Sequence, residues 1–189
     1  MGVRPLLCLI ACGLAVTAAA QAAEGDKPPT RTCKQRVEFG SPARFGGPES
    51  VIVGRVSFSA LARYADPDEF GKVYDARRGH YSLKSGIGVR ANRNVKLSIV
   101  PAQRSKAGLD YAGSRGRAAP GKQPVVLLAP CRSSQRAFSY DGKVGAVTGF
   151  SGGLAVAEPM CLVLEARTRG REPVRRAISL GMGDTCSQP

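Results

Sequence analysis

Between residues 51 and 180, apolar and polar side chains alternate in short runs broken by Gly, Pro, Asn and Asp. That two-residue period belongs to strands with one buried and one wet face. In VIVGRVSFSAL, Val56, Phe58 and Ala60 form the inward set, and Arg55, Ser57 and Ser59 the outward one. NVKLSIVP repeats the pattern with Val95, Leu97 and Ile99 inside, Lys96 and Ser98 outside, and Pro101 as the stop. Further strands are expected in HYSLKSGIGVRA, PVVLLAPC, RAFSY, GLAVAE, CLVLEAR and RRAISLGMG. The unbroken apolar run Val125 to Ala129 reads as a central strand covered on both faces. A helix is expected only in ALARYADPDEFGK, where Asp66-Pro67-Asp68 marks a turn or a helix start. The stretches AEGDKPPTRT and SRGRAAPGKQP have the composition of mobile loops.

About eight short strands with almost no helix predict an all-β fold, an antiparallel β-sandwich of immunoglobulin-like or similar type, with a small β-barrel as the alternative. At 189 residues there is room for one such domain with a real core. Residues 1–22 carry one positive charge at Arg4, an apolar run from Leu6 to about Ala20, and small residues at the exit, which is the layout of a secretory signal peptide cleaved after Ala22. Residues 23–35 are then a flexible N-terminal segment containing Cys33, and residues 36–189 a single β domain. Leu9-Ile10-Ala11-Cys12 resembles a lipobox, so a lipid anchor at Cys12 is the minor alternative; it sits early, and the apolar run continues past it. No second apolar stretch of spanning length follows, so the mature chain is expected to have no transmembrane segment.

Cleavage would leave four cysteines, Cys33, Cys131, Cys161 and Cys186. In an oxidising compartment they read as two disulfides; a single histidine and no Cys-x-x-Cys pair argue against a metal site, and no cofactor is expected. Three pairings are open. A hairpin joining neighbouring strands favours Cys131 with Cys161, and closure of the chain ends favours Cys33 with Cys186.

The chain holds 28 Lys and Arg against 14 Asp and Glu, a net charge of +14, and arginine outnumbers lysine by 20 to 8. In EARTRGREPVRR, Arg167, Arg169 and Arg171 share strand parity and Arg175 and Arg176 follow the Gly170 turn, so a hairpin would present a basic, anion-binding ribbon. Arg77, Arg78, Arg90 and Arg93 would add a second cluster. Lipid headgroups or an anionic envelope polymer are the partners this charge favours. Dispersed positive charge also keeps a small exported domain soluble. There is no tryptophan and no nucleic-acid-binding motif, and no protein partner is indicated.

Gly149-Phe150-Ser151-Gly152-Gly153 fits the G-x-S-x-G nucleophile pattern. His80, Asp110 and Ser151 also follow the histidine, aspartate, serine order of the all-β serine proteases, but Phe150 stands where that motif needs aspartate. The plainer reading is a turn in which Gly149, Gly152 and Gly153 permit positive φ or a bulge, with Ser151 exposed. The segments APC, FSYDG, TGFSGG and EPMC, with a cysteine near the C-terminus, resemble exported bacterial proteins with a disulfide-bonded β domain. That resemblance covers the last half of the chain, implies export and a β fold, and carries no activity onto any residue. The expected function is a non-enzymatic binding or interaction domain of the bacterial cell envelope, secreted or periplasmic, contacting anionic surfaces. A serine hydrolase using Ser151 with His80, and a purely structural envelope protein, are the alternatives.

Overall fold

Two stretches, HYSLKSGIGVR and VTGFSGGLAV, each run as one extended path that breaks in the middle, and their breaks lie opposite each other. The computed structural model describes residues 27–38, 40–111, 119–183 and 186–188. The expected signal peptide, including Cys12, and residues 114–118 of the second loop lie outside the described residues. Thirteen strands are described: β1 (Thr30–Thr32), β2 (Val51–Val53), β3 (Val56–Phe58), β4 (Tyr74–Asp75), β5 (His80–Lys84), β6 (Ile87–Arg90), β7 (Val95–Ile99), β8 (Ala107–Leu109), β9 (Val125–Ala129), β10 (Val147–Phe150), β11 (Gly153–Val156), β12 (Met160–Thr168) and β13 (Val174–Leu180). They form a five-stranded sheet in the order β1-β9-β7-β12-β13 and two four-stranded sheets, β10-β6-β3-β2 and β4-β5-β11-β8. All pairs are antiparallel except β1 with β9. None of these sheets closes into a barrel, and the fold is all-β and sandwich-like.

The two smaller sheets share a corner. Phe150 pairs with Ile87 in one and Gly153 with Lys84 in the other, so Ser85-Gly86 and Ser151-Gly152 are where both paths change sheet together. Core side chains come from both sides of the sandwich: Leu97, Ile99, Leu128, Leu162 and Leu164 from the five-stranded sheet, and Val56, Phe58, Val89, Phe150 and Val156 from the bent pair. Burying each such side chain is worth roughly 1.5–3 kcal/mol. A five-residue helix, α1 (Pro67–Gly71), caps one end; the Asp66 carboxylate accepts from the amides of Asp68 and Glu69, and Phe70 stacks on Tyr81 with ring centroids 4.1 Å apart.

Several expectations need correction. Ser57 and Ser98, assigned to wet faces, are buried; at Ser57 chain outside the sheets covers the face, and its Oγ accepts from the Gly46 amide. Val125 to Ala129 is buried at Val126 and Leu128 only, its other face being half exposed. RAFSY forms no strand; Arg136 makes one isolated bridge to Lys143. Thr30–Thr32, placed in a mobile stretch, form β1 with Arg31 buried.

The disulfides are Cys33–Cys131 and Cys161–Cys186, not the favoured Cys131–Cys161 and Cys33–Cys186. Sheet order explains the first bond. Thr32 of β1 lies beside Ala129 of β9 in parallel register, so the cysteines just beyond them meet with Cα atoms 4.7 Å apart. The favoured hairpin does not exist, since β7 lies between β9 and β12. Closing a 98-residue loop should stabilise more than closing a 25-residue loop. Replacing Cys33 and Cys131 by alanine is expected to cost about 4–5 kcal/mol, and replacing Cys161 and Cys186 about 3–4 kcal/mol. Urea unfolding of the two double variants checks the ranking, and the reverse order would refute the loop-closure account.

Candidate functional site

The corner shows what the glycines of TGFSGG supply. None of Gly149, Gly152 and Gly153 has a positive φ, contrary to one form of the turn reading. They provide room instead. A Cβ on Gly152 would sit 2.2 Å from the Tyr111 ring, and one on Gly153 would sit 2.1 Å from the Leu83 carbonyl oxygen. Gly88 and Gly149 are cross-strand partners, and their missing side chains admit residues 43 and 44: a Cβ would meet the Arg44 carbonyl at 2.7 Å and the Ala43 Cβ at 3.2 Å respectively. A strap of chain from Ser41 to Gly46 thus lies against the outer face of this sheet, opposite the core-facing Ile87 and Val89.

Tyr111 locks the corner. It is fully buried, its hydroxyl donates to the Ser85 carbonyl at 2.7 Å, and burial pushes its pKa well above that of an ordinary phenol. The Ser85 amide donates to Gly152 O, the Ser85 hydroxyl to Ser59 O, and the Ser59 amide to Gly86 O. The break therefore satisfies its backbone groups without a continuous ladder.

The structure does not unite the hydrolase candidates. Ser151 is exposed at the break, whereas buried His80 begins β5 at the far end of the strand. With about 3.4 Å per residue of strand, roughly 15 Å or more separates His80 from the break. His80 Nδ1 donates to the Arg78 carbonyl at 3.1 Å, and its Nε2 is buried without a hydrogen bond. Asp110 is beside the corner through its backbone, exchanging hydrogen bonds with Gly153. Ser151→Ala is accordingly expected to leave stability within about 0.5 kcal/mol of the parent, whereas Gly153→Ala should cost more than about 2 kcal/mol through forced overpacking. Chemical denaturation of both variants checks this; equal effects would sink the close-approach account.

The basic hairpin divides into two environments. β12 ends at Thr168, so Arg169 and Arg171 lie in the turn and do not continue a strand face with Arg167. Glu165, 7% exposed, accepts from Nε of both Arg167 and Arg175, the latter at 2.8 Å. Arg167 and then Arg175 hold the Glu165 carboxyl below its usual range against the opposing effect of burial. Arg176 has the opposite strand parity, opposite Leu164. Two of the five hairpin arginines thus share one carboxylate, and the set is not one ribbon.

A different cluster forms at one pole of the molecule. Arg55, Arg93 and Arg171 each follow a residue with positive φ in a tight turn: Gly54 at 57°, Asn92 at 72° and Gly170 at 73°. Arg90 ends β6 beside them. The Arg55 guanidinium donates to the carbonyls of Arg90 at 3.1 Å and Ala91 at 2.7 Å. Burial, then the charges of Arg171, Arg90 and Arg93, hold its pKa below that of an ordinary guanidinium. Every charged neighbour that shifts Arg55 is itself an arginine. Sequence parity missed Arg55, although the recurrence of Gly-Arg or Asn-Arg in three turns was readable. Arg77 and Arg78 do not join this pole; Arg78 pairs with Asp75 at 3.3 Å.

Another arginine works inside the fold. Buried Glu38 takes the Arg36 guanidinium and accepts from the Phe138 and Ser139 amides at 2.7 and 2.9 Å, anchoring the loop after β9. Burial pushes its pKa up, but Arg36 and the two amides outweigh it and hold the carboxyl at about 2. Stability from Glu38 is therefore complete above the ordinary value of 4.5 and is lost as pH falls towards about 2. Glu38→Gln should melt lower than the parent at neutral pH, with the gap closing across that acid window. Thermal melts from neutral pH down to that limit check the sign, and a gap that widened on acidification would refute it.

Among the described residues, no group of three or more His, Cys, Asp or Glu is placed to hold a metal, and no helix is long and apolar enough to cross a membrane. The chain matches no family model, no curated protein and no solved structure, so the functional reading rests on geometry and chemistry.

Proposed function

We propose that the chain is an exported, non-enzymatic β-sandwich domain of the bacterial cell envelope that binds anionic surfaces. The arginine pole carries this reading. Guanidiniums from separate turns and a strand end converge on Arg55, whose pKa is lowered by burial and then by the charges of Arg171, Arg90 and Arg93, and a polyanion relieves that repulsion. The signal-peptide layout of residues 1–22 and the two disulfides support export to an oxidising compartment. The contact surface differs from a simple basic hairpin. Arg171 remains in it, Arg55, Arg90 and Arg93 join it, and Arg167 and Arg175 serve Glu165. A hydrolase using Ser151 with His80 finds no support, since His80 occupies the far end of β5.

The mature chain is expected to bind polygalacturonate or phosphatidylglycerol vesicles at low salt and to release them as salt rises, with little affinity for neutral counterparts. The variant Arg93→Gln/Arg171→Gln should weaken vesicle binding by about 2 kcal/mol, near 1 kcal/mol per charge. Equal retention on anionic and neutral matrices would end the electrostatic reading and leave a structural role.

A further inference from the structure

Beside the strap and over the corner lies an open cleft of about 610 Å³, lined by Arg44, Lys84, Ser41, Ser59, Ser151 and the glycines of the break among others. This is within the size range of small-ligand sites. Among the described residues, its lining contains two cations and no carboxylate. Val37, Pro42 and Ala43 make part of its wall apolar, while Phe150 and Ile87 face the core at 2% exposure and offer a ligand little surface. Nor does it offer an open strand edge to a peptide at Gly149, whose carbonyl already accepts from the Val37 amide at 2.9 Å. What the cleft adds to that wall is the exposed hydroxyls of Ser41, Ser59 and Ser151 and positive charge. That chemistry suits an oxygen-rich anion.

The cleft is also continuous with the arginine pole. Gly88 lines the cleft and Arg90 belongs to the pole, and as residues two apart they face the same side of β6, about 7 Å from each other. The strap spans the same interval: Arg44 lines the cleft, and Phe45 lies under the Arg90 guanidinium at 4.5 Å.

We propose that this cleft holds an anionic sugar unit, bearing a carboxylate or a phosphate, of an acidic glycan whose continuation runs onto the arginine pole. The proposal rests on the reading of the domain as a binder of anionic polymers and adds a selective subsite to it. Lys84 and Arg44 take the anionic group, and the exposed hydroxyls of Ser41, Ser59 and Ser151 face the sugar oxygens. The pole adds charge-driven avidity with longer chains.

The test is calorimetric titration of the mature chain with digalacturonate, a hexose phosphate and a neutral disaccharide, beside salt-dependent retention on long polygalacturonate. Lys84, Arg44 and Ser151 are exposed, so Lys84→Gln/Arg44→Gln and the uncharged plug Ser151→Tyr should keep the fold, which their melting temperatures verify. Tighter binding of one acidic probe than of the neutral sugar is expected, and which acidic probe wins identifies the carboxylate or the phosphate. Both cleft variants should weaken it by about tenfold or more, whereas Arg93→Gln/Arg171→Gln should change it less than about twofold. Equal binding of acidic and neutral probes, or loss only in the pole variant, overturns the cleft proposal. Retention of the long polymer in that case leaves the general function standing, while absence of salt-sensitive retention by the parent overturns that function separately.

Discussion

Two paired strands cannot change sheet independently, because a break in one leaves the amides and carbonyls of the other without partners. In this protein both break at the same level, and the Tyr111 hydroxyl bonded to the Ser85 carbonyl holds that level in place. The buried phenol needs an acceptor as much as the broken strand needs a donor. Around it, Phe58 meets the Tyr111 ring edge-on at 6.2 Å, and Gly152 lies where any side chain would strike that ring. The bend brings both small sheets against one core, opens the cleft on the outer side, and exposes Ser151. A single tyrosine thus links packing, topology and the candidate site.

Positive charge has separate roles that net charge cannot tell apart. Arg36 with Glu38, and Arg167 and Arg175 with Glu165, are internal braces in which a buried carboxylate is held ionised by its guanidinium partners. Arg31 is buried on the inner side of β1, with its guanidinium 5.7 Å from the Phe150 ring centroid, and burial lowers its pKa while Asp110 opposes that effect. The pole is of another kind. There, like charges adjoin one another, and Arg55 is fixed by backbone carbonyls. Such repulsion costs stability in the free protein, and a bound anion would recover that cost.

The all-β class and most strands were legible because period-two burial is a local property. Val95, Leu97 and Ile99 face the core as their spacing requires. Ser57 misled because polarity marks a wet face only where nothing crosses it, and a small serine is tolerated under a crossing chain. Disulfide pairing failed for a related reason: it depends on sheet order, and the parallel pairing of the short β1 with β9 leaves no periodic mark in three residues. At the candidate site, Arg171, Arg90 and Arg93 could be named as basic positions, but Arg55 sat inside a strand pattern and read as an outward residue of it. Its position beside the others follows from three turns meeting at one pole, a tertiary fact.

The serine motif shows how a chemical pattern can arise from packing. A chain that switches sheets must pass close to its neighbours on both sides of the switch, and glycine is the residue that permits this. Gly149 lies under the strap, Gly152 against Tyr111 and Gly153 against the Leu83 carbonyl, which places glycines on both sides of a short exposed residue. Ser151 fills that position, and close packing by itself accounts for the G-x-S-x-G spacing. The same glycines that account for the motif also line the cleft. Packing therefore accounts for the pattern, and it also sets the Ser151 hydroxyl in that wall.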